Sequence, residues 1–116
     1  MKSVNFLNLL DDYYNNYNIE RSIIVVPNNN SLYKINEKLI EKNYSILEIN
    51  NKNIYNVNYS SLNYRIILIK YKYIHKIINI LYNLNLLKCF NLILFYNINN
   101  TLKNYTYNYI KLISSF

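Results

Sequence analysis

Two segments near the start of the chain differ clearly in the spacing of their apolar residues. The segment VNFLNLLDDYYNNY (4–17) places apolar side chains three and four residues apart, which predicts an amphipathic helix. The next apolar segment, SIIVV (22–26), is a continuous β-branched run, and such runs are typical of strands buried on both faces. Pro27 follows and brings no N–H to a sheet, so we expect the strand to end there.

A second helix is predicted between the turn that follows Pro27 and residue 42, because its apolar residues again recur at helical spacing. Asn30 or Ser31 is expected to cap the first turn. Asn43 stands where a helix commonly ends in a left-handed residue, a position that usually belongs to glycine, and this chain has no glycine. Tyr44 is expected to fold back onto the last turn.

The remainder of the chain is predicted to be mostly strands. Strands are expected over 44–49, 65–72, 91–97 and 109–116, with a weaker one around Ile54–Tyr59. Residues 75–88 fit a helix and a strand equally well, and 98–108 is a polar loop or a short helix. This order predicts an α+β fold of two small lobes, an N-terminal α/β lobe (1–62) and a mostly β C-terminal lobe (63–116).

Charge is distributed unevenly along the sequence. The formal net charge is +7, all six acidic residues lie within the first 48 positions, and eight basic residues with no acidic one follow from residue 49 onward. A segment of one sign repels itself unless it faces a polyanion, so nucleic acid or an anionic surface is indicated. Lysine enrichment by base composition alone is the alternative, although it does not explain why acidic residues stop at Glu48.

The composition also suggests where the protein is made. Asn, Ile, Lys and Tyr have AT-rich codons and are abundant, which predicts an AT-rich genome of the kind found in reduced organelles. The single Cys89 fits a reducing compartment or core packing. Met1–Leu10 does not have the pattern of a signal peptide, and no apolar run approaches the roughly 20 residues that cross a bilayer. We therefore expect no membrane partner.

Candidate chemistry favours RNA binding over catalysis. Lys70, Lys72 and Lys76 alternate with Tyr64, Tyr71 and Tyr73, which suits phosphate contacts and base stacking, although the rings also fit half-buried strand positions. The polar segment 96–103 offers Tyr96, Asn97, Asn99, Asn100 and Lys103, and its alternative is a solvated loop. Asn15, Asn29 and Asn30 are candidates for phosphate contacts, Asn30 also being a candidate cap.

Catalytic and cofactor sites are not supported by the sequence. His75 is the only histidine and has no neighbouring carboxylate to orient it. His75 and Cys89 lack metal-ligand spacing, and a chain without glycine has no glycine-rich phosphate loop. We expect no enzymatic activity, no cofactor and no small-molecule substrate.

Residues 4–49 resemble the N-terminal lobe of the bacterial-type ribosomal protein S-eight family of the small subunit. Asn15 matches the asparagine that ends the family's first helix, and Pro27 matches the proline that ends its first strand. Glu41, Asn43 and Tyr44 match the end of its second helix, and the succession needs no gap. CFNLILFYNINNTLK (89–103) and IKLISSF (110–116) are similar to its C-terminal lobe, but the family's serine-threonine-serine loop is replaced by Tyr96, Asn97 and Ile98.

The resemblance implies a structural constituent of the small ribosomal subunit. Such a protein binds ribosomal RNA of the central domain, mainly through its C-terminal lobe, beside neighbouring small-subunit proteins. With the base composition, it implies an organelle ribosome, that of a relict plastid (apicoplast) or alternatively a mitochondrion. A different class remains open: a small basic adaptor that uses Tyr- and Ile-rich strands as a protein interface.

Overall fold

The structure, a computed structural model, describes residues 3–96 and contains both helices and one sheet. Its helices and strands are α1 (Ser3–Asn16), β1 (Ser22–Val26), α2 (Asn29–Glu41), β2 (Ile46–Ile49), β3 (Ile66–Lys70), α3 (Ile74–Asn83) and β4 (Leu92–Phe95). Short 3-10 turns lie at Ile54–Asn56, Tyr59–Asn63, Tyr71–Tyr73 and Leu87–Cys89. The expected α+β class is confirmed.

The four strands form one sheet in the order β2-β3-β1-β4, and every pair is parallel. β1 is central, with Ser22 opposite both Ile66 of β3 and Leu92 of β4. All five of its residues are buried, as the continuous β-branched run predicts. Strands on the two sides of the expected lobe boundary therefore share one sheet. Residues 97–116, the last part of the expected C-terminal lobe, lie outside the described residues.

Alternate side chains of the strands build two cores, one on each face of the sheet. Ile24 and Val26 of β1 face α1 and α2, whereas Ile23 and Val25 face α3 and the β2–β3 connection. α2 leads from β1 towards β2, and α3 leads in the opposite direction along the sheet, from β3 to β4. Connections between parallel strands are right-handed. Because these two run in opposite directions along the sheet, they must lie on opposite faces, as α2 and α3 do. Each fully buried aliphatic side chain contributes about 2 kcal/mol.

Two local expectations are corrected by the structure. The weak strand expected around Ile54–Tyr59 is wrong: the segment forms 3-10 turns, and Ile54 and Val57 point into the α3-side core. The cap of α2 is Asn28, whose Oδ1 accepts a hydrogen bond from the Ser31 N–H at 2.9 Å, because Asn29 and Asn30 are already helical. The ambiguous segment 75–88 is helical up to Asn83.

Asparagine ends two of the helices in the place of glycine. Asn43 has a φ of 65°, the Asn43 N–H donates to Ile40 O, and the Tyr44 N–H donates to Leu39 O. This is the Schellman pattern, which satisfies carbonyl groups left free at a helix end. Asn85 repeats it after α3, with a φ of 59°. The expectations for Asn43 and for the return of Tyr44 onto α2 are confirmed.

At the end of the sheet where the strands begin, polar contacts join α1 to α2. Asp11 of α1 accepts hydrogen bonds from Lys42 Nζ and, at 2.6 Å, from Tyr44 Oη. Burial raises the pKa of the Asp11 carboxyl, but the contacts with Lys42 and Tyr44 outweigh it and leave the pKa below its usual 3.8. Burial, followed by the Asp11 carboxylate, raises the pKa of the Tyr44 hydroxyl.

A second contact at the same end fixes α1 against β1 and β3. Tyr14 Oη lies 2.8 Å from Ser22 Oγ and donates to Arg65 O at 3.2 Å, while the Arg65 guanidinium lies 4.1 Å from the Tyr14 ring centroid. Burial raises the pKa of the Tyr14 hydroxyl, although the Ser22 hydrogen bond and the Arg65 charge act in the other direction. The ionisable side chains at this end of the sheet therefore interact with one another.

Replacement of Asn43 tests the left-handed helix end. Asn43→Ala should lower the free energy of unfolding by about 1 kcal/mol, because a Cβ crowds the carbonyl at positive φ and alanine lacks the polar side chain that eases this. Asn43→Gly should cause no loss, since glycine has no Cβ. Urea denaturation measures both. Asn83→Ala, at the right-handed last residue of α3, is the matched control and should not destabilise; equal losses at positions 43 and 83 would contradict the assignment.

Acid titration tests the Asp11 contacts. Because folding lowers this carboxyl pKa, the contribution to stability is complete above the ordinary pKa and is lost as the pH falls through the lower value of the folded state. The difference in unfolding free energy between the native chain and Asp11→Asn should therefore shrink as the pH falls from above the ordinary carboxyl pKa of 3.8 to below it. Glu37→Gln, which removes a carboxylate with no ion pair among the described residues, is the control. A difference independent of pH would refute the assignment.

Candidate nucleic-acid interface

The parallel sheet brings the ends of all its strands to one edge, which we call the carboxyl edge. Three described connections leave it: 27–30 after β1, 50–56 after β2 and 70–76 at the end of β3. Open parallel sheets bind ligands at this edge, where neighbouring strands send their connections to opposite faces. β1 continues into α2 on one face and β3 into α3 on the other, and Val26 is paired with Lys70 at this point.

Two lysines converge on one tyrosine immediately after β3. Lys70 is half-buried at the end of the strand, and Lys72 is exposed in the 3-10 turn that follows. The Tyr73 ring centroid lies 5.9 Å from Lys70 Nζ and 5.0 Å from Lys72 Nζ. An ammonium within about 6 Å of an aromatic ring is attracted to its π-face. The Tyr73 ring is thus within attractive distance of two ammonium groups from the same connection.

A third lysine is held by a tyrosine from the neighbouring connection. Lys76, in the first turn of α3, donates a hydrogen bond from Nζ to Tyr55 Oη. Its Nζ also lies 4.6 Å from the Tyr55 ring centroid, but the hydroxyl oxygen is closer, so the hydrogen bond is the principal contact. The Tyr55 residue remains 71% exposed. The interaction joins the β2 and β3 connections at the carboxyl edge.

The connection after β1 contributes polar groups without charge. Asn28 is occupied as the cap of α2, whereas Asn29 and Asn30 are exposed in its first turn. Within residues 3–96 neither the Asn29 nor the Asn30 side chain makes a hydrogen bond to another residue. Both follow β1, which is paired with β3, so they lie at the same edge as the Lys70 connection.

Lysines outnumber acidic residues at the carboxyl edge. Its three described connections contain the four lysines 52, 70, 72 and 76 and no aspartate or glutamate. Glu48 lies in β2, two positions before the β2 connection, whereas Asp11, Glu20 and Glu41 lie near the starts of the strands. Local positive potential attracts polyanions and raises their rate of association. The arrangement favours phosphate binding at one end of the molecule.

Several predicted site residues do not join this group. Asn15 and Tyr64 precede β1 and β3, so they lie at the opposite end of the sheet, about 13 Å away along a five-residue strand. Tyr96 follows β4 towards the carboxyl edge, but it is only 2% exposed, and its ring lies 5.2 Å from that of Phe6. Its side chain is part of the core. Asn97, Asn99, Asn100 and Lys103 lie outside the described residues.

Sequence reasoning missed Lys52 and Tyr55. Both lie in a segment whose pattern predicts only a weak strand with flanking turns, far in sequence from Lys76. The continuous apolar runs of β1, β3 and β4 could have indicated that this connection lies beside Lys76. Such runs are typical of parallel strands, whose connections meet at one edge. The expected strand around Ile54–Tyr59 concealed this connection.

The described residues do not form a metal-binding cluster of the usual kind. No cluster of three or more His, Cys, Asp or Glu side chains able to hold a metal occurs in residues 3–96. His75 lies in the first turn of α3, whereas Cys89 lies beyond its last turn, so α3 separates them. Within the same range, no helix is both long enough and apolar enough to cross a bilayer.

Comparisons with protein-family models, curated proteins and solved structures gave no significant match to this chain. The function must therefore be inferred from the interface itself.

Proposed function

We propose that the protein binds RNA through the carboxyl edge of its sheet. The observation that carries this proposal is the gathering of Lys70, Lys72 and Lys76 beside Tyr73 and Tyr55, in connections free of acidic residues. Lysines neutralise phosphates and exposed aromatic rings stack with bases, which is the combination that RNA surfaces require. The net charge of +7 supports a polyanionic partner.

The RNA in this proposal is ribosomal RNA of the small subunit. The resemblance of residues 4–49 to ribosomal protein S-eight supports this choice, and those residues form α1, β1, α2 and β2. The protein would be a structural constituent of an organelle small subunit, in a relict plastid or a mitochondrion, beside other small-subunit proteins. The RNA surface would then include the connections of β1 and β2, in addition to the C-terminal half that the resemblance emphasises.

Removal of two lysines tests the RNA interface. Lys72→Ala/Lys76→Ala should weaken binding to a labelled small-subunit RNA transcript, measured by fluorescence anisotropy over a range of salt concentrations. The slope of log Kd against log salt should fall by roughly 1.4, at about 0.7 for each single-strand phosphate that a lysine no longer neutralises, because fewer counterions are released.

The matched control removes the same charge elsewhere. Lys38→Ala/Lys88→Ala changes α2 and the turn before β4, away from the carboxyl edge, and should leave the slope unchanged. Circular dichroism and urea denaturation verify that both variants are folded. Equal losses of affinity in the two double variants would contradict a localised interface. Association with a protein partner that is insensitive to salt would favour the adaptor alternative.

Sedimentation tests the ribosomal assignment separately. Epitope-tagged protein in an organelle lysate should migrate with small subunits in a sucrose gradient and move to the top after ribonuclease treatment, since RNA contacts hold it. The Lys72→Ala/Lys76→Ala variant should shift towards the top and the Lys38→Ala/Lys88→Ala variant should not. If the native chain stays at the top while the purified protein binds RNA, the ribosomal part is wrong and RNA binding stands.

A further inference from the structure

The most exposed of the large hydrophobic side chains in residues 3–96 lies at the carboxyl edge. From it we infer that the RNA bound there is single-stranded, with an unpaired base stacked on Tyr55 and its flanking phosphate on Lys76. This inference rests on the proposed function and adds the class of RNA. Base-paired RNA and unpaired RNA present different surfaces, so the two proposals can fail separately.

Tyr55 is held in an outward position by its neighbours. The adjacent Ile54 is 1% exposed and anchors the turn in the α3-side core. Lys76 binds the Tyr55 hydroxyl, which restrains the ring from the other end. Asn53 stabilises the turn, since its Oδ1 accepts from the Asn50 N–H and its Nδ2 donates to Glu48 O, both at 2.8 Å. A ring positioned before binding loses little conformational entropy when a base stacks on it.

The Lys76 ammonium has donors left for a phosphate. It carries three N–H groups and gives one of them to Tyr55 Oη. The other two remain available to the phosphate of a nucleotide stacked on Tyr55. The contact thus joins a stacking surface to a phosphate-binding cation in one unit.

A small groove next to the Tyr55 turn offers polar groups to a neighbouring base. Its volume is about 130 Å³, below the range of enclosed ligand sites, so it can accept only part of a nucleotide. Its lining residues are Leu47, Ile49, Asn53, Asn56, Val57, Ser60 and Ser61. Within the described part of the chain, the Asn56 carboxamide makes no hydrogen bond, so both its donor and its acceptor are available to a base edge. The apolar side chains of the groove can pack against the flat face of a base.

Base-paired RNA does not fit these features. In an A-form helix the bases stack on one another, and proteins reach mainly phosphates, 2′-hydroxyls and the edges in the shallow minor groove. A protruding ring such as Tyr55 has no base face to cover there. Unpaired nucleotides in loops, bulges and ends can be splayed out and stacked on aromatic side chains.

Binding of matched single- and double-stranded RNA tests the inference. A short RNA strand with 2-aminopurine at one position should bind at least about tenfold more tightly alone than when it is annealed to its complement, because only the free strand offers a base for stacking. Tyr55→Leu should weaken binding to the single strand about tenfold, whereas Tyr55→Phe, which keeps the ring, should retain most of the affinity. Quenching of 2-aminopurine fluorescence by the native chain measures stacking without any substitution.

The control is Tyr82→Leu, because Tyr82 is 59% exposed near the end of α3 and away from the carboxyl edge. It should leave single-strand binding unchanged. If duplex RNA binds as tightly as the single strand while Lys72→Ala/Lys76→Ala still weakens binding, the single-strand inference is overturned and RNA binding remains. If neither form binds, both proposals are overturned. Equal effects of Tyr55→Leu and Tyr82→Leu, or no quenching, would also contradict stacking on Tyr55.

Discussion

The parallel pairing of β1 with both β3 and β4 is the constraint on which the rest of the fold depends. A central strand with neighbours on both sides satisfies all its backbone groups within the sheet, but its side chains then need apolar cover on both faces. Ile23 and Val25 are covered by α3, and Ile24 and Val26 by α1 and α2. Parallel pairing also fixes where the chain leaves each strand. The described connections that follow the strands meet at one edge, and the proposed interface is a consequence of that geometry.

A chain without glycine must still change direction sharply between helix and strand. Asparagine does so at Asn18, Asn43 and Asn85, the residues with positive φ in the described part of the chain. Its short polar side chain reduces the cost of a left-handed backbone, although less completely than the loss of a Cβ would. Asn43 and Asn85 end the two helices that connect parallel strands. The abundant asparagine of this sequence therefore also serves the fold.

The two ends of the sheet differ in how their charges are used. Where the strands begin, Asp11 is bound by Lys42, and Arg65 stacks on Tyr14, so these charges hold elements together. Where the strands end, Lys72 and Lys76 contact only aromatic groups among the described residues. Both lysines remain exposed. Polyanion binding is consistent with this difference, since it needs cations that no carboxylate neutralises.

The sequence by itself determined the elements with strong periodicity, namely α1, β1, α2 and its end at Asn43, because apolar spacing and turn chemistry act locally. It also identified the lysines after β3, since they alternate with tyrosines within seven residues. Only the tertiary structure decided that all strands are parallel and that Lys76 meets Tyr55, 21 positions away. It also assigned Tyr96 to the core, against Phe6. Local patterns indicate which face of a strand is buried, but strand order and partners depend on packing between distant segments.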